Sequence, residues 1–171
     1  MLTRLASNCL SALAVLLAAI TVGCTAVAPA PGATDRFVEA RQLLREAGTA
    51  VSTIEDRQFK DFASLVVAAW QAYAKDVPAA LKTAATIEDA SLKALGLSFI
   101  AGVQAKAGDI AGALETVATV ADTGTKANAL VEIAELQARA GDTAGALRTV
   151  AAIEDASWQA FGLRRIAELQ A

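Results

Sequence analysis

Lys106-Ala-Gly-Asp-Ile-Ala-Gly-Ala-Leu-Glu-Thr-Val-Ala118 returns further along the chain as Arg139-Ala-Gly-Asp-Thr-Ala-Gly-Ala-Leu-Arg-Thr-Val-Ala151. The longer segments 106–138 and 139–171 agree at 19 of their 33 positions. A self-similar period of this length is the signature of stacked helical units, each too small to bury its apolar face alone. The chemistry within the quoted stretch says how each unit turns. Gly108 and Gly141 supply the left-handed conformation that ends a helix, and the Asp that follows each accepts from the free N–H groups that begin the next. A two-residue boundary of this kind folds neighbouring helices back on one another.

The same period holds at Asp76, Asp109 and Asp142, at Leu81, Leu114 and Leu147, and at Ile87, Val120 and Ile153. Upstream, Ile54-Glu55-Asp56 stands in register with Ile87-Glu88-Asp89 and Ile153-Glu154-Asp155. Between these marks Leu97, Ile100, Ala101 and Gln104 recur at helical steps, and Leu130, Ile133, Ala134 and Gln137 repeat them. The spacing predicts eight helices, over 36–53, 58–74, 77–87, 91–106, 110–120, 124–139, 143–153 and 157–171. The expected fold is all-α, a short right-handed α-solenoid filling 36–171, with about four helix-turn-helix units at 40–72, 73–105, 106–138 and 139–171.

Composition agrees. Alanine, the strongest helix former, accounts for 43 of 171 residues, while aromatics make up only 5%. Helices lined by Ala101, Gly102, Gly112, Ala113, Gly145 and Ala146 bury area through close backbone approach. A mid-helix Gly costs about 0.8–1 kcal/mol against Ala, so a Gly kept at one place in two units points to a packing need.

The layout resembles the tetratricopeptide repeat, a helix-turn-helix unit of nearly the same length. Leu97, Ile100, Ala101, Gly108, Asp109, Ala113, Leu114 and Val117 stand where that family has its large apolar, small, turn and packing residues. Gln104 and Gln137 stand where it has an aromatic. The resemblance implies an inner curve lined by the first helix of each unit, which here would present Phe62, Leu65, Leu95, Ser98, Asn128, Val131, Glu135, Phe161, Arg164 and Glu168 to a protein or peptide partner. The Lys and Asn set with which some members clamp a peptide carboxylate is missing.

The N-terminus has signal-peptide anatomy, with Arg4 preceding the apolar run Leu10 to Val22. Thr21-Val22-Gly23-Cys24 resembles the lipobox of bacterial lipoproteins, which implies a cleaved segment 1–23 and a lipid anchor on Cys24. Residues 24–35, with Pro29 and Pro31, have the composition of a flexible tether. An uncleaved membrane helix and simple secretion are the competing readings of the same stretch.

With no His in the chain and neither Cys9 nor Cys24 in the repeat region, the common nucleophile–base pairs and transition-metal sites cannot be assembled there. The sequence therefore predicts neither an enzyme, a metal site nor a cofactor. A formal charge of -3 gives nothing to attract nucleic acid. Glu55-Asp56, Glu88-Asp89 and Glu154-Asp155 could form acid–base or Ca2+ sites, but their recurrence at one repeat position favours helix capping. The functional expectation is a lipid-anchored scaffold or adaptor in the bacterial cell envelope. Self-association through the repeat ends, giving a homo-oligomer, is the alternative.

Overall fold

A computed structural model describes residues 33–170, so the expected signal segment 1–23, Cys24 and most of the 24–35 tether lie outside the described residues. Eight helices and no strands occupy the described chain: α1 Ala33–Val51, α2 Arg57–Tyr73, α3 Val77–Ala85, α4 Ala90–Lys106, α5 Ile110–Ala118, α6 Thr123–Arg139, α7 Thr143–Ala151 and α8 Ala156–Glu168. The chain divides into two compact units after Leu92, early in α4.

Capping residues set the boundaries as the sequence requires. Asp76, Asp109 and Asp142 cap α3, α5 and α7, while Asp56, Asp122 and Asp155 cap α2, α6 and α8. Asp89 accepts from the Leu92 N–H at the start of α4. Gly108 and Gly141 have φ of 89° and 86°, in the left-handed region. There the N–H groups of Asp109 and Asp142 reach back to the carbonyls of Gln104 and Gln137 at 2.9 Å, closing Schellman turns. At the equivalent turn Asp76 makes the same bond to Gln71, but Lys75 holds the left-handed position with φ 61°.

The short helices end two residues earlier than the sequence spacing predicts. Thr86, Thr119 and Ala152 take the C-cap, and Ile87, Val120 and Ile153 leave the helix with their side chains buried. Each of these three donates its N–H to the carbonyl three residues back, so the chain turns while an apolar plug stays in the core. Helix α1 begins at Ala33, three residues before its expected start.

In the first unit α1 packs on α2 and α2 on α3. Ala47, Val51, Ala63 and Val67 form its core, with Ile54 packed against them. In the second unit α6 packs with α5, α7 and α8, and α7 packs on α8. Its core joins Ala101 and Ala105 of α4 to Val117, Leu130, Ile133, Val150 and Ile166. Ile133, Val117 and Val150 are almost wholly buried, each contributing about 1.5–3 kcal/mol by leaving water. The remaining contacts are dominated by Ala, which explains how a chain so poor in aromatics builds a core.

Candidate functional site

The long helices α2, α4, α6 and α8 carry one register position, repeated once per period, at Phe62, Leu95, Asn128 and Phe161. One face of each helix must pack and the opposite flank is left to solvent, and this position falls on the solvent side in all four. Phe62 is 53% exposed, Leu95 52% and Phe161 39%, and Asn128 is also exposed. Three large apolar side chains at one exposed position are not core residues.

In the first unit Phe62 stands in the open and Leu65, one turn on, is half-buried. In the second unit the expected lining residues separate by role. Val131 is only 3% exposed and belongs to the core, 3.3 Å from where a Cβ on Gly162 would lie, so it serves the close approach of α6 and α8. Glu135 accepts from Arg165 Nε at 2.7 Å and from its second nitrogen at 3.0 Å, which clamps α6 to α8 and raises the Arg165 pKa. Arg139 adds a looser contact to Glu135 at 3.8 Å.

Phe161, Arg164 and Glu168 form one exposed edge of α8. The Phe161 ring meets Trp158 edge to face with centroids 5.8 Å apart, and the Arg164 guanidinium lies 5.4 Å from the Phe161 centroid. Arg164 also approaches Glu168 at 3.7 Å. Such contacts hold an aromatic in one orientation at the surface. Leu95 shares α4 with Ser98, whose hydroxyl donates to the Leu95 carbonyl at 2.9 Å and so turns back onto its own helix. The arrangement offers a partner apolar area with a cation beside it.

The Asp of each carboxylate pair is occupied at a helix start. Asp56 accepts from Phe59 N–H, Asp89 from Leu92 N–H and Asp155 from Ser157 and Trp158 N–H, while Glu88 pairs with Arg57 at 3.0 Å on the surface. The Asp122 carboxyl is held below its ordinary pKa by the Thr125 hydroxyl and N–H. Among the described residues no group of three or more His, Cys, Asp or Glu is placed to hold a metal ion.

Two features escaped the sequence reading. The Glu135–Arg165 clamp joins residues 30 apart with no local signature. Asp61 had a signal, because it interrupts an otherwise Ala position at 94, 127 and 160. It is 2% exposed and accepts from the N–H groups of Glu88 at 3.0 Å and Asp89 at 2.8 Å. The Glu88 N–H lowers its pKa most; burial opposes this, and the Asp89 N–H and the charges of Arg57 and Lys60 add to the lowering.

No protein-family description, curated protein or solved structure matches the chain.

Proposed function

We propose that this protein is a lipid-tethered scaffold of the bacterial cell envelope, a short tetratricopeptide-like solenoid that holds a protein or peptide partner. The observation that carries the reading is the repeated exposure of position 62/95/128/161, where Phe, Leu, Asn and Phe are kept in solvent while the residue that follows each, Ala63, Gly96, Ala129 and Gly162, is buried. Phe161, an exposed aromatic held by Trp158 and Arg164, has the chemistry of an interface anchor, where such side chains supply most of the binding energy. The lipobox-like Thr21 to Cys24 stretch supports a tether on Cys24, with the partner held at the membrane face. No helix among the described residues is long and apolar enough to cross a membrane.

The experiment is to recover the full-length protein from detergent-solubilised membranes of its native cell and to identify co-purifying proteins by mass spectrometry, alongside a Phe62→Ala/Phe161→Ala variant. A near-stoichiometric protein that is lost in the variant is expected. Recovery of the same set of proteins from both forms would remove the basis for this surface.

A further inference from the structure

Helix α8 leaves open the face that α6 buries. On α6, Ala127, Leu130, Val131 and Ala134 lie within one helical face and all are buried. Their counterparts one period on, Ala160, Leu163, Arg164 and Ala167 of α8, are exposed, Leu163 by 46%. Val131 of α6 meets α8 at Gly162, so this face is the one a long helix turns toward the elements that follow it.

The element that follows each long helix is a short one, and α3, α5 and α7 start at residues 77, 110 and 143. One period earlier lies residue 44, inside α1. Leu44 to Val51 is in register with the short helices. Its buried Ala47 matches Ala80, Ala113 and Ala146, its buried Val51 matches Ala84, Val117 and Val150, and Ile54 matches Ile87, Val120 and Ile153.

A short helix has two flanks to bury. In α7, Ala146 and Val150 form one, and Gly145 and Thr149 form the other, against Gln137 of the preceding α6: Thr149 donates to Gln137 Oε1 at 2.7 Å. In α1 the first pair is buried, but the counterparts of the second, Glu46 and Ala50, are exposed, as is Leu43 beside them, by 49%. The open flank of α1 is thus the flank with which α7 meets a preceding long helix.

We propose that α1 of a second copy of this chain seats on the open face of α8, as α7 seats on α6. The occupant follows from the repeat register, because this chain carries a short-helix element whose flank toward a preceding long helix is open and a long helix whose receiving face is open. The substitutions fit that use. Leu43 takes the place of Asp142, whose carboxylate together with Gln137 Nε2 crowds a Cβ at Gly145, and Ala79 at the same register position shows that a side chain is accommodated there once the cap loosens. In this register the Glu46 carboxylate comes opposite Gln170, the counterpart of Gln137, whose amide nitrogen donates one N–H to Thr143 Oγ1 and has a second for the carboxylate. The contact is heterologous, using a different surface on each copy, so each added copy leaves a further surface for the next. Arg164 borders both this face and the Phe161 edge, but Leu163 and Phe161 are about 160° apart around α8, so substitutions at these two positions test the two proposals independently.

The test is sedimentation of the full-length protein in density-matched detergent over a wide concentration range, for wild type, Leu43→Glu, Leu163→Glu and an equimolar mixture of the two variants. Both substitutions are at exposed positions, and circular dichroism checks that each variant keeps the wild-type melting curve; Leu43→Gln and Leu163→Gln replace them if it does not. The wild type is expected to grow through successive multiples of the monomer mass. Each variant alone should stay monomeric, and the mixture should stop at a dimer, since each variant supplies the surface the other lacks. A wild type that is monomeric throughout, a mixture no larger than its parts, or a Leu43→Glu protein that still dimerises through α8 alone would each overturn the proposal.

Discussion

Thr116 donates a 2.7 Å hydrogen bond to Gln104 Oε1 between two nearly buried side chains, and the bond recurs one period to either side, from Thr83 to Gln71 and from Thr149 to Gln137. This pair ties α2 to α3, α4 to α5 and α6 to α7. Gln is tolerated there because its amide is satisfied as well, by the Leu44 carbonyl for Gln71 and by the Asp109 carboxylate for Gln104. Among the described residues no buried side-chain nitrogen or oxygen lacks a partner.

Thr116→Val keeps the shape and removes the donor, leaving the Gln104 oxygen buried and unpaired. Unfolding in urea should show a loss of about 1–3 kcal/mol. A double variant with Gln104→Leu should recover part of that loss, because both polar groups are then gone.

Gly112 and Gly145 are required by the caps beside them. A Cβ on Gly112 would lie 2.5 Å from Gln104 Nε2 and closer still to Asp109 Oδ2, and a Cβ on Gly145 would lie 2.6 Å from Gln137 Nε2. The first unit shows the consequence, since Ala79 stands at this position and its N–H is 3.4 Å from the Asp76 carboxylate, against 3.0 and 2.8 Å at the two Gly positions. There Arg45 takes up the displaced Asp76 oxygen at 2.7 Å. Gly112→Ala should therefore cost about 1 kcal/mol through the weakened cap, despite the better helix propensity of Ala. A raised melting temperature would reject this role.

Lys75 holds a left-handed conformation that its counterparts Gly108 and Gly141 adopt freely. A side chain there costs about 1–2 kcal/mol, offset in part by the greater chain entropy Gly gives the unfolded state. Lys75→Gly should stabilise the first unit by about 0.5–1 kcal/mol. Gly141→Lys should destabilise, and both shifts can be read by calorimetry.

Asp61 links stability to pH. Its folded pKa lies below its ordinary value, so the folded state favours the ionised form and the unfolded state binds the proton more readily. The stabilisation is then complete above the ordinary carboxylate range, near pH 4, and is lost as pH falls through the folded value. Asp61→Asn, with a single acceptor oxygen for two N–H groups, should melt lower than wild type at pH 7. The gap should narrow as the medium is acidified toward pH 3.

The helices were legible because their punctuation is local: Gly-Asp at 108–109 and 141–142, Asp122 and Asp155 at the other boundary, and apolar steps between. The early ends at Ala85, Ala118 and Ala151 were not, because Ile87, Val120 and Ile153 continue the apolar pattern whether they are the last turn of a helix or a plug beyond it. The Gln–Thr pair was present as a recurring spacing within each unit, but only the fold shows that the two side chains meet. On the surface, the register put 62, 95 and 161 at one position but did not show their exposure, because large apolar side chains at helical spacing suit a core equally well. Burial of Val131 was not legible either, since it depends on Gly162 of the next long helix admitting a close approach.

The most direct measurement places a photo-crosslinking phenylalanine analogue at position 161 in the full-length protein in its native cells, with the exposed Leu147 of α7 as the comparison site. An interaction scaffold predicts an adduct with one distinct protein from position 161 and none from 147. No adduct at 161, or the same adducts from both positions, would contradict it.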